Sequence, residues 1–130
     1  MVKVLLIEDD DALRMITRAL LTDRGHVVVE ASNAEQGLQA ALTQKPDVIL
    51  SDFLMPGVLD SSEKKLFEEL GTDSRTKDIP IIIMTGLPKM TVQAHVPKRL
   101  WPYIMSKPFD YFRLQGLIED ALKRKKSSSD

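Results

Sequence analysis

Four short apolar runs, each ending on a polar or charged side chain, constrain this chain more than any other feature. Val48-Ile49-Leu50 runs through Ser51 to Asp52, and Pro56-Gly57 turns the backbone soon after. Val4-Leu5-Leu6-Ile7 ends at Glu8-Asp9, Ile81-Ile82-Ile83-Met84 at Thr85, and Tyr103-Ile104-Met105 at Ser106-Lys107. Runs this short and this uniformly apolar suit strands buried on both faces, as in a parallel sheet covered by helices. In such sheets ligands sit beyond the carboxyl ends of the strands, where all four runs place their polar groups.

The intervening segments carry helical spacing. Leu13, Ile16, Leu20 and Leu21 fall on one face of a first helix, capped by Asp10 or Asp11 and stopped by Gly25. Val27-Val28-Val29 reads as a second strand. Ser32 with Glu35 forms a capping box for a helix with Ala34, Leu38, Ala41 and Leu42 inward, ended by Lys45-Pro46. A third helix opens at Ser61 or Ser62, with Leu66, Phe67 and Leu70 inward. Pro88, Pro97 and Pro102 crowd the fourth helical position, so a short or distorted helix is expected before Pro97. Asp110 caps the last helix, Phe109 staples against Leu114, and Leu114, Leu117, Ile118, Ala121 and Leu122 face inward. Strand and helix alternate five times, which predicts one α/β domain with right-handed crossovers. The domain is expected over residues 1–122, with 123–130 a basic, serine-rich tail or linker.

Bulk composition narrows the function classes. The 130 residues are 43% hydrophobic and 28% charged, with a net charge of −1 that gives no general pull toward nucleic acid or anionic membrane. There is no cysteine, hence no disulfide, thiolate nucleophile or cysteine metal ligand. No apolar run nears the roughly 20 residues of a membrane span, and Met1-Val2-Lys3-Val4 leads straight into a strand. A soluble, cytoplasmic protein without membrane contact is the expectation. The basic cluster Lys123 to Lys126 has no interleaved aromatics, and reads as a complement to a helix C-terminus rather than a nucleic-acid contact. Trp101 is expected to pack under the last loop, and His26 and His95 are not expected to be ligands.

Glu8, Asp9 and Asp52 converge if strands one and three are neighbours. Three carboxylates at close range repel and raise one another's pKa unless a cation joins them. An all-oxygen set suits a hard ion, Mg²⁺ or Mn²⁺. Lys107 supplies a positive charge and Thr85 a hydroxyl, able to hold the oxygens of a phosphoryl group placed on a carboxylate. Asp52 is the natural nucleophile. Singly, each has an ordinary reading as turn residue, β-former or solvated charge; their joint placement on successive strand ends does not.

With these residues the chain resembles the receiver domain of two-component response regulators: Glu8-Asp9, Asp52 within Ser51-Asp52-Phe53-Leu54-Met55-Pro56, Met84-Thr85-Gly86 and Lys107-Pro108-Phe109. The resemblance spans Val2 to about Leu122. It implies a doubly wound, five-stranded parallel sheet of order 2-1-3-4-5. It also implies that Asp52 accepts a phosphoryl group from a histidine kinase or phosphotransfer protein, with only self-catalysed transfer and autodephosphorylation. Asp9, Asp52 and the Leu54 carbonyl would bind Mg²⁺, Glu8 reaching it mainly through water. Thr85 and Lys107 would contact the phosphate, and the Lys107-Pro108 bond would be cis. Phosphate would draw Thr85 inward and shift the face of helix four, strand five and helix five toward a downstream effector or a dimer partner. The family's aromatic follower of that threonine corresponds here to Ile104, with Tyr103 beside it. Two alternatives remain: a pseudo-receiver that uses the fold only for interaction, and a haloacid dehalogenase-type phosphatase using Asp9-Asp10-Asp11.

Overall fold

The computed structural model describes the backbone of residues 2–52, 61–107 and 110–128; the side chains of 61–65 and 125–128 are outside the description. Five strands, β1 (Lys3–Ile7), β2 (Val27–Ala31), β3 (Val48–Asp52), β4 (Ile81–Thr85) and β5 (Ile104–Ser106), form one parallel sheet of order β2-β1-β3-β4-β5. This is the expected α/β doubly wound topology. Among the described residues five α-helices connect or follow the strands: α1 (Asp11–Asp23), α2 (Ala34–Gln44), α3 (Ser61–Thr72), α4 (Lys89–Gln93) and α5 (Tyr111–Ser128).

Every residue of β3 and β4 is buried, so these strands carry side chains into both layers of the core. Ile49, Ile81 and Ile83 pack with Ala41, Leu66, Phe67 and Leu70 beneath α2 and α3. Leu50, Ile82 and Met84 pack with Leu21, Leu114, Ile118 and Ala121 beneath α1 and α5. A fully buried strand cannot alternate polar and apolar residues, which explains its continuous apolar run.

Several local expectations need correction. The inner face of α1 is carried by Thr17 and Leu21, whereas Ile16 is 57% and Leu20 40% exposed. The capping pair of α2 lies one residue later than Ser32 and Glu35. Asn33 accepts from the Gln36 amide (2.8 Å), and the Gln36 side chain reaches back to the Ser32 amide (3.0 Å). Helix α5 continues to Ser128, past the expected end at Leu122.

Other expectations agree. Gly25 at φ +88° ends α1 with its N–H on the Thr22 carbonyl, a left-handed geometry that glycine adopts without strain. Asp110 accepts from the Phe112 amide (2.8 Å) as the cap of α5; its proposed staple, Phe109, lies outside the described residues. Helix α4 has only five residues, and Lys98–Tyr103 follows as a 3-10 segment containing Pro102. Trp101 packs on the core there and donates to the Gln93 and Val96 carbonyls.

Candidate functional site

Register brings the polar strand ends together. Ile7 pairs with Ser51, so Glu8 and Asp52 leave neighbouring strands at one level. Asp52 pairs with Met84, which puts Thr85 one step beyond it, and Thr85 pairs with Ser106, the residue before Lys107. Carboxylate oxygens of Glu8, Asp9 and Asp52 lie within 4.8 Å of one another. The Lys107 ammonium joins two of them, at 2.7 Å from Asp52 Oδ1 and 2.9 Å from Glu8 Oε1.

Electrostatics follow from burial. Glu8 is 1% and Asp52 8% exposed, whereas Asp9 faces solvent. Burial raises the Glu8 pKa; the hydrogen bond from Lys107 lowers it, the neighbouring Asp52 charge raises it, and it settles at about 7. Burial alone would depress Lys107, but its bonds to Asp52 and Glu8 outweigh that and hold it above the ordinary lysine range. One half-buried cation shared by two buried carboxylates leaves negative charge in excess. An all-oxygen cluster with one solvent-facing carboxylate therefore fits a hard divalent ion.

Thr85 is fully buried, and its hydroxyl accepts from the Leu87 amide at 2.9 Å. The Lys107 amide donates to the Thr85 carbonyl, tying the two strand ends together. The Leu54 carbonyl and the geometry of the Lys107-Pro108 bond lie outside the described residues. Asp10 and Asp11 do different work from Asp9. Asp10 caps α1 through the Leu13 amide (2.9 Å), and Asp11 pairs with Arg14 at 2.7 Å. The phosphatase alternative, which needs Asp9 and Asp11 acting jointly, gains no support from this.

Arg14 was not anticipated. Its Nη1 donates to the Glu8 carbonyl at 2.8 Å, while its other nitrogens reach Asp11 and, at 3.5 Å, Glu30 of β2. One guanidinium thus fixes the end of β1, the start of α1 and the neighbouring strand. A signal existed, since Arg14 stands three before Thr17 and seven before Leu21 on the buried face of α1. Gly37 was also missed. A Cβ there would sit 2.5 Å from Ile7 Cδ1, so its absence lets α2 lie close on β1, just before the acid pair.

Comparison with known proteins decides the family. Residues 4–119 match the response regulator receiver domain family. The chain belongs to that family. Protein PilH of Pseudomonas aeruginosa is 30% identical over 94% of this chain and 98% of its own length. Transcriptional regulatory protein AfsQ1 of Streptomyces coelicolor is 41% identical over 66% of this chain, but that match spans only 36% of AfsQ1. A crystal structure of a response regulator receiver domain protein from Clostridium thermocellum superposes with a TM-score of 0.82 at 26% identity, covering 97% of this chain and 98% of that one. The receiver domain of a Pseudomonas aeruginosa sensor histidine kinase, with magnesium coordinated in its active site cleft, superposes at 0.76 with 25% identity, over 94% and 98% of the two chains. Among the described residues of this receiver domain, no helix is long and apolar enough to cross a membrane.

Proposed function

We propose that this receiver domain is a phosphoacceptor of two-component signalling, with Asp52 the modified residue. One observation carries the reading: the Asp52 carboxylate stands within 4.8 Å of two further carboxylates and 2.7 Å from the Lys107 ammonium. An Asp52 oxygen attacks the phosphorus of a phosphohistidine on a histidine kinase or phosphotransfer protein. The new P–O bond forms as the P–N bond breaks, and the electron pair stays on the imidazole nitrogen. Water later cleaves the acyl phosphate and returns the carboxylate. Asp9, Asp52 and the Leu54 carbonyl would hold a Mg²⁺ or Mn²⁺ ion, with Glu8 reaching it through water, and the ion would supply neutralising charge for the phosphoryl oxygens.

The chain's own groups supply the rest. Lys107 exchanges its bond with Asp52 for one to a phosphoryl oxygen. Thr85 keeps accepting from the Leu87 amide while donating its own hydroxyl proton to another, and moving toward it draws along the start of the loop leading to α4. That displacement biases a pre-existing equilibrium of the α4, β5 and α5 face. Ile104, buried and paired with Ile83, transmits it through packing rather than through an aromatic rotamer. That face would contact a downstream effector domain or protein, or a second receiver. Residues 1–122 would be the core of the cytoplasmic signalling unit, with 123–130 its basic, serine-rich extension.

Acetyl phosphate with Mg²⁺, followed by intact-mass measurement, tests the reading. A phosphate-sized increase is expected, absent in Asp52→Ala and absent when the metal is chelated. A pseudo-receiver would show no increase in the unaltered chain, and a modified Asp52→Ala variant would sink Asp52 as the acceptor.

A further inference from the structure

A basic recess lies at the opposite edge of the sheet, where β4 begins. A cleft of about 430 Å³ opens there between the end of α3, the segment before β4, the 3-10 segment and α5. Its volume lies in the range of small-molecule sites, roughly 300–1,000 Å³. Leu70, Ile81 and Leu100 come from one core layer and Tyr103 and Ala121 from the other, so its walls are apolar where the two layers meet.

Around those walls stand Lys77, Arg99 and Arg124 against one carboxylate, Asp78. The chain as a whole carries a charge of −1, so this excess of cations is local. Arg124 lies over the Tyr103 ring, 5.5 Å from its centre, and approaches Asp120 at 3.4 Å. Among the described residues no ion pair joins Lys77 or Arg99 to a carboxylate. The Arg99 guanidinium rests over Gly71, where a Cβ would lie 2.4 Å from Nη2. A cation is favoured near a helix C-terminus, which accounts for Arg99 at the end of α3 and for Arg124 near the end of α5, but not for Lys77.

We infer that this cleft binds a small molecule combining a flat apolar body with at least two negative charges, of the nucleoside diphosphate class. The guanidinium fork suits phosphate oxygens, Lys77 adds a point charge, and the half-buried Ile79 and Pro80 at the rim take the base. The site lies apart from the acid cluster and needs neither metal nor phosphorylation. Its wall, Arg99 to Tyr103, runs directly into β5, whose end bears Lys107.

Adenosine diphosphate is the probe, titrated into the ¹⁵N-labelled full chain in metal-free buffer and followed by amide shifts. Saturable shifts at Gly71, Lys77 and Leu100 are expected, with a Kd below about 1 mM. Pyrophosphate should bind at least about tenfold more weakly, a difference of about 1.4 kcal/mol. The Lys77→Ala/Arg99→Ala double variant should lose the shifts with an otherwise native spectrum. Asp78→Ala should tighten binding by about threefold, the size of an exposed charge effect. No saturation by about 5 mM, well above that Kd, overturns the inference. So do shifts that survive the double variant, or pyrophosphate binding as tightly as the nucleotide.

Discussion

The two halves of the sheet contribute to the acid cluster in different ways. On one side, β1 and β3 have five residues each, and α1 and α2 run for 13 and 11. Their strand ends deliver Glu8, Asp9 and Asp52, and Arg14 and Gly37 lock the surrounding backbone. On the other side β5 has three residues, α4 five, and a 3-10 segment replaces further helix. This half delivers Thr85 and Lys107. Carboxylates that repel one another must be held by a scaffold that cannot relax. Thr85 ends β4, as long and as buried as β3, but the ammonium that exchanges partners follows the three-residue β5, a support with few regular hydrogen bonds where local motion costs little. The difference between the halves matches a fixed anionic receptacle served by a movable cation.

The largest expected effect comes from removing that cation. Lys107→Met leaves Glu8 and Asp52 unbalanced and should cost about 3 kcal/mol at pH 8, the lower end for breaking a buried pair. The loss should shrink near pH 5.5, where Glu8 takes up a proton. Urea unfolding at both pH values measures it, and an equal loss at both would break the contrast.

Glu8 itself gives the next effect. Its folded pKa of about 7 exceeds the ordinary 4.5, so the folded state binds the extra proton between those values. Metal-free stability should therefore fall as pH rises through that window, by on the order of 2 kcal/mol. Glu8→Gln should flatten this slope, as should millimolar Mg²⁺, whose stabilisation should be greater at pH 8 than at pH 5.5. Thermal melts across pH check both.

Two glycines compare the halves directly. Gly37→Ala drives a methyl into Ile7 and should cost about 1–2 kcal/mol. Gly86→Ala, after Thr85, meets nothing within 4 Å at a φ outside the left-handed region, and should be neutral or gain about 0.5 kcal/mol. Equal costs for the two in chemical denaturation would remove the distinction. The smallest effect is expected at Thr17, whose buried hydroxyl has no hydrogen-bond partner among the described residues. Thr17→Val should stabilise by about 0.5–1 kcal/mol, because it removes an unsatisfied polar group without changing shape.

The strand ends that carry Glu8, Asp9, Asp52, Thr85 and Lys107 were legible because buried parallel strands announce themselves as apolar runs, whereas the sheet order that makes them converge came from the receiver-domain resemblance. Where a run stops, the residue at the sheet edge is named. Helix faces were less legible. Leu13, Ile16, Leu20 and Leu21 allow more than one orientation of α1, and packing on the sheet chose the one that buries Thr17 and leaves Ile16 and Leu20 outside. The α2 cap moved by one residue because Asn33 and Gln36 satisfy the helix start as well as Ser32 and Glu35 would.

Sequence alone determined which side chains end the strands, since a buried strand stops where its apolar run stops; the strand order that gathers them at one edge followed from the receiver-domain resemblance and not from periodicity. Tertiary structure decided what those side chains are once gathered. The displaced Glu8 pKa and the shared ammonium of Lys107 arise from burial and from distances of about 3 Å between residues far apart in the chain. Such energies depend on dielectric and separation, and neither is written in the order of residues.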